Sequence, residues 1–182
     1  MARPERSTRG FSLLEVLMVL VIIGVLAAVV TPGLGSLERQ RQDSAFDEIS
    51  RTLRYARSSA MACGAPTGVR LRTDPGVRLD LVQIDPDTLS LGPAPGPLGE
   101  DAPTRYLHLE LPSLAIVSMT NGDGASSTDE TFWFRFDGTP HTRASGGAFD
   151  AFYSEDAEIV LESGSGTRVI VIRAHTGVID ER

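Results

Sequence analysis

The stretch RGFSLLEVLMVLVIIGVLAAVV, which starts at Arg9 and ends at Val30, constrains this chain more than any other feature. From Phe11 to Val30 only Ser12 and Glu15 are strongly polar. As a helix rising about 1.5 Å per residue, that run reaches across a hydrocarbon layer of about 30 Å. A carboxylate at such a depth costs about 2.5–3.5 kcal/mol on insertion scales, so Glu15 needs a use. Residues 1–10 place Arg3, Arg6 and Arg9 against Glu5. By the positive-inside tendency this stub stays in the cytoplasm and the remainder is exported.

Three readings fit an apolar run of this kind. One is a secretory signal peptide, with Leu26-Ala27-Ala28 near a cleavage point. The second is a plain single-pass anchor. The third is a segment cut before the apolar run and kept in the mature chain. A signal peptide or an anchor gains nothing from an acid. A helix that later leaves the bilayer and packs against copies of itself gains a partner for it.

Gly10-Phe11-Ser12-Leu13-Leu14-Glu15 resembles the processing site of type IV pilins and type II secretion pseudopilins. The resemblance implies a prepilin peptidase that cuts between Gly10 and Phe11 and methylates the new amino group of Phe11. It also implies that Glu15 pairs with the N-terminal ammonium of a neighbouring subunit as the helix joins a filament. Elementary electrostatics agrees, because a cation within a few ångströms offsets desolvation of the carboxylate.

Downstream, Thr31-Pro32-Gly33-Leu34-Gly35 predicts a helix break centred on Pro32 and Gly33, since proline lacks a donor and glycine is a weak helix former. The resulting division is a leader over 1–10, a membrane and filament-core helix over 11–35, an amphipathic helix over 36–64, and a periplasmic β domain over 65–182. In the amphipathic part, Phe46, Ile49, Leu53, Ala56 and Ala60 recur at intervals of three and four, one apolar stripe. Arg39, Arg41, Arg51, Arg54 and Arg57 fall mostly off it and read as a solvated face paired with Asp43, Asp47 and Glu48. A filament or partner contact is the alternative for that face. Gly64 reads as the helix cap, with Pro66 just beyond. The helix sequence SRTLRYARSSA (residues 50–60) is similar to that of the GspH/FimT family.

From Thr67 the period changes to two. Alternation predicts strands around 69–72, 77–81, 107–111, 114–119, 132–136, 157–162, 168–173 and 178–180. Turns fall at 162–167 and 174–177. Residues 85–103, with five of the chain's 11 prolines, and 120–130 read as loops. Trp133 among Phe132, Phe134 and Phe136 reads as a central strand with aromatics on both faces. The fold class is α+β and type IV pilin-like: a long N-terminal helix, membrane half plus amphipathic half, packed on an antiparallel β-sandwich. The stretches at 132–138 and 168–179, with their Phe-Asp-Gly and Thr-Gly turns, resemble the late strands of the same family.

Nothing in the chain reads as an enzyme. His108 is expected on a strand, His141 in a loop and His175 at a hairpin, without metal-ligand spacing. Cys63, the single cysteine, is expected to pack as a small apolar residue. Asn121, Asp123, Asp129 and Glu130 lack the spacing of a calcium loop and read as a plain acidic loop. No catalytic residue, metal or cofactor is therefore expected.

The resemblance implies an H-type minor pseudopilin of a type II secretion system, in the inner membrane with its C-terminal domain in the periplasm. The implied partners are the prepilin peptidase, other minor and major pseudopilins, the inner-membrane assembly platform and the membrane itself, crossed once. A FimT-like minor pilin that binds DNA for transformation is the alternative. DNA is the weaker choice, because 24 acidic residues outnumber 17 arginines, there is no lysine, and the formal charge is −7.

Overall fold

The computed structural model describes residues 13–182 apart from Pro86, Leu98, 111–113, 145–146 and 164–165. Side chains of 27–42, Glu110 and Ser163 also lie outside the described residues, as do Gly10, Phe11 and the leader. The chain divides into two compact units, Met1–Gln40 and Arg41–Arg182. One helix, α1 (Leu13–Cys63), runs through both. Its backbone is helical through Pro32 and Gly33, where the sequence predicted a break. A lone proline removes one donor from the ladder, and the turns around it keep theirs.

Within the second unit, α1 buries the stripe that the periodicity marked. Ala45, Phe46, Ile49, Leu53, Ala56 and Ala60 are all buried. The helix ends where Gly64 takes φ 69° and its N–H bonds the Ala60 carbonyl at 3.0 Å.

Eleven strands follow among the described residues: β1 (Thr67–Arg72), β2 (Arg78–Ile84), β3 (Leu91–Pro93), β4 (Arg105–Tyr106), β5 (Ala115–Thr120), β6 (Asp129–Phe134), β7 (Pro140–Arg143), β8 (Phe149–Phe152), β9 (Ala157–Ser163), β10 (Gly166–Ile172) and β11 (Ile179–Glu181). They form two antiparallel sheets. One has the order β3-β2-β1-β6-β7-β8, with β4 also on β2, and the other is β11-β10-β9-β5. Residues from the helix stripe, from Val69, Leu71, Phe132 and Phe134 of the first sheet, and from Met119, Ile159, Ile170 and Ile172 of the second share one core. The α+β expectation holds: an N-terminal helix followed by an antiparallel β domain.

β6 is the central strand that its aromatics indicated. Phe132 and Phe134 point into the main core, and Trp133 joins Val82 and Ile84 in a small cluster on the other face. The turn at 174–177 closes β10 onto β11, with Gly177 at φ 64°.

Several expectations are corrected. Residues 107–110 are a single helical turn, α2 (Leu107–Glu110), not a strand. Leu107 is buried while Leu109 is 72% exposed, so the alternating leucines do not share a buried sheet face. His108 is therefore helical, and its Nδ1 lies 3.1 Å from the Val77 carbonyl. The proline-rich stretch 85–103 contributes β3 and a bridge between Pro95 and Asp101. β7 and β8 form where no strand was expected, and β7 carries His141.

Candidate functional site

In the first unit, the described side chains of α1 are those of residues 13–26. Glu15 occupies the first turn, where the helix dipole favours a negative charge. Around it every described large apolar residue is exposed, from 49% at Val16 to 84% at Leu13. A band that is apolar on all sides is built for a bilayer or for other helices. The 14 residues with described side chains rise about 21 Å, short of a hydrocarbon core. Among the described residues no helix is long and apolar enough to cross a membrane. The expected crossing from Phe11 to Val30 thus reaches outside the described residues at both ends.

In the second unit, the Arg57 side chain joins two turns. Its Nε donates to the Gly138 carbonyl at 3.2 Å and its Nη2 to the Thr176 carbonyl at 3.0 Å. Gly138 closes the Phe136-Asp137-Gly138 turn with φ 80°, and Gly177 follows Thr176. A Cβ on Gly177 would collide with the Gly138 carbonyl. The arginine face of α1 is therefore not only solvated. Arg51 does pair with Glu48 at 3.3 Å, but Arg54 reaches Glu181 at 2.6 Å, while Glu48 and Asp43 hold Arg105 and Arg168, both at 2.9 Å.

The acidic loop is committed internally. The Asn121 Oδ1 accepts from the N–H groups of Asp123 and Ala125, and the Gly122 carbonyl accepts from Ser154 and Glu155. The Gly122 backbone packs on the Tyr153 ring, leaving no room for a Cβ. Burial pushes the Glu130 carboxyl up and the Tyr153 hydroxyl higher still. Among the described residues no group of three His, Cys, Asp or Glu side chains converges as a metal site would require.

The prokaryotic N-terminal methylation motif matches residues 6–31, the run that holds Gly10, Phe11 and Glu15. The chain carries a prepilin-type N-terminus. Over 46 residues it is 48% identical to the "Type II secretion system core protein G" of Dickeya chrysanthemi, a match covering 25% of this chain and 30% of that relative. No solved structure matches. The prepilin-type segment and the β domain together give the type IV pilin-like arrangement expected from the sequence. Gly10 and Phe11, the expected processing site, lie outside the described residues, and Glu15 lies in the first turn of α1.

The structure adds Phe149 and Phe152, which sequence reasoning did not single out, and joins them to Phe136 and His141, which it did. Phe136, Phe149 and Phe152 are 57%, 48% and 51% exposed and lie together. The Arg135 guanidinium sits between the Phe136 and Phe152 rings, 4.9 and 5.0 Å from their centroids. His141 is buried and stacks on Phe149 at 5.6 Å, accepting at Nε2 from the Arg143 Nε at 2.9 Å. Desolvation first, then the Arg143 and Arg135 charges, lower its pKa to about 4. Cys63 is exposed, not packed, although it continues the three-and-four spacing of the buried stripe into the last helical turn. In the sequence the cluster shows only as Phe136 at the end of the 132–136 aromatics and a Phe-x-x-Phe pattern at 149–152.

Proposed function

We propose that the chain is a non-catalytic subunit of a periplasmic filament, an H-type minor pseudopilin of a type II secretion system. The single observation that carries this reading is Glu15 in the first turn of a helix segment that is otherwise apolar and exposed. The methylation motif and the partial match to a secretion core protein support it. In this reading a prepilin peptidase frees and methylates the amine of Phe11. Residues 11–30 hold the chain in the inner membrane as a single span, and the β domain faces the periplasm. As the subunit leaves the bilayer, the Glu15 carboxylate meets the Phe11 ammonium of a neighbour, so each charge compensates the desolvation of the other. The H type, rather than another pseudopilin, rests on the 50–60 helix and on the two family-like turns that Arg57 joins.

Mass spectrometry of the native chain tests the first step. The expected mature chain begins with an N-methylated Phe11. A chain that keeps residues 1–10, or is cut after Ala28, removes the filament reading. Glu15→Gln is expected to be processed normally, to stay in the membrane fraction on carbonate extraction, and to be lost from sheared filaments. Co-purification of the intact chain with other pseudopilins distinguishes the secretion role from a pilus role.

A further inference from the structure

The strand order leaves β8 at one end of the larger sheet, with no described strand beyond it. All four of its residues are exposed. Its inner side is occupied: His141 and Arg143 pair with Phe152 and Phe149, and Ala151 exchanges bonds with the Thr142 hydroxyl. Soluble proteins blunt such edges with short length, charge, bulges, proline or a covering loop, and β8 has four residues, one carboxylate and a register shift against β7. Here the edge reads Phe-Asp-Ala-Phe. Beside it lies a hollow of about 340 Å³ lined by Gly64, Pro66, Arg135, Phe136, Arg143, Phe149 and Phe152. The Phe149 and Phe152 rings meet edge to face at 5.2 Å. Three of the chain's seven phenylalanines thus stand half in water in one contiguous patch, an exposure that marks an interaction surface.

We propose that β8 and this hollow receive an extended, acidic and apolar segment of another polypeptide, added as a further strand. The open edge calls for an extended backbone, because its outward N–H and C=O groups are hydrogen-bonded by a neighbouring strand. The phenyl rings call for apolar side chains at alternate positions of that segment. The charge is set by the lining of the hollow, which offers two guanidinium groups and, among its described residues, no carboxylate; Asp150 of β8 lines a different hollow, which Arg143 also lines. Asp137 lies 3.5 Å from Arg135, but it takes two bonds from Thr139 and does not line the hollow. A nucleic-acid backbone fits less well. Two guanidinium groups neutralise little of a chain that carries a charge on every nucleotide. Neither Glu15 nor the methylation motif enters this inference, so it stands apart from the filament reading.

The test uses the full-length chain in mild detergent and a fluorescein-labelled octapeptide of alternating valine and glutamate. Controls are the same peptide with lysine for glutamate and one with alternate backbone amides N-methylated. Fluorescence anisotropy is expected to show the glutamate peptide binding at least tenfold more tightly than either control. Hydrogen exchange at residues 149–152 is expected to slow when it is bound. Phe152→Ala, at an exposed position and with an unchanged thermal midpoint, is expected to weaken binding at least fivefold. Equal affinity for the glutamate and lysine peptides, undiminished binding of the N-methylated peptide, or unchanged exchange in β8 would each overturn the proposal. So would a patch that engages only duplex DNA, anionic lipid vesicles or a second copy of the chain. The peptide controls keep the result decisive even where the phenylalanine variant fails to fold.

Discussion

Arg57 shows how one side chain can hold a fold together at a distance from its own element. It donates to carbonyls of two turns separated by 38 residues in the chain, and those turns touch each other through Gly138 and Gly177. Removing it leaves both carbonyls without that donor. Charge-assisted bonds of this kind are worth about 1.5–3 kcal/mol each before water replaces them. Arg57→Ala is therefore expected to lower stability by about 2 kcal/mol in denaturant titration. Gly177→Ala adds a left-handed backbone penalty of about 1–2 kcal/mol to a collision with the Gly138 carbonyl, and is expected to cost more. The turn sequences were readable in the chain, but nothing in it indicated that they meet or that Arg57 joins them. His141 gives a different prediction. Its folded pKa of about 4 lies below the ordinary value of 6.5, so the unfolded chain binds the proton more readily. Stability from this group is present above the ordinary value and is lost as pH falls from there toward 4. Glu130, held above the usual carboxyl range by burial, works the other way, so the difference between two variants is the useful quantity. Between pH 7 and pH 5 the wild type is expected to lose about 2 kcal/mol more than His141→Gln, compared by denaturant titration. Equal losses would remove His141 from the acid response.

At the scale of elements, α1 was legible because burial follows its period. Phe46, Ile49, Leu53, Ala56 and Ala60 lie on one side of a helix for geometric reasons, and a tertiary core simply uses that side. Leu53→Ala is expected to cost about 2–5 kcal/mol in a thermal or denaturant melt, because a fully buried leucine is removed from a core shared by the helix and both sheets. The corresponding change at Leu109, 72% exposed, is expected to change stability by less than about 0.5 kcal/mol. That contrast also explains the misread segment. Three leucines in alternation are too few to separate a strand from a helical turn, and only packing against β2 decides between them. β7 and β8 were illegible for a related reason. Pro-His-Thr-Arg and Phe-Asp-Ala-Phe lack both length and a buried apolar face, and they become strands because β6 supplies an edge for β7 and β7 supplies one for β8. The aromatic hollow is a product of that pairing, so it could not be read before the pairing was known. Glu15 is the opposite case. An acid in an apolar run is legible without any neighbour, because the surrounding residues already set it apart.

For the molecule as a whole, charge count and charge placement point the same way. The chain has 17 arginines and 24 acidic residues. The count alone leaves room for a local basic stripe, which is what a duplex binder needs. The structure assigns most arginines of the β domain to acidic partners. Arg70 holds Asp129, Arg72 and Arg78 share Asp80, Arg105 takes Glu48, Arg168 takes Asp43, and Arg173 bridges Asp156 and Asp180. Breaking such pairs to meet phosphates exchanges one ionic contact for another and leaves carboxylates facing the DNA. The intact chain in mild detergent is therefore expected to leave a 30-base-pair duplex unshifted at about 0.15 M salt. At lower salt any weak association should have a log–log salt slope shallower than about 3, since each engaged phosphate contributes about 0.9. A slope of 5 or more would mean that five or six arginines had left their carboxylates. That result would favour DNA uptake over the proposed secretion filament, and would leave the proposed methylation of Phe11 and pairing of Glu15 untouched.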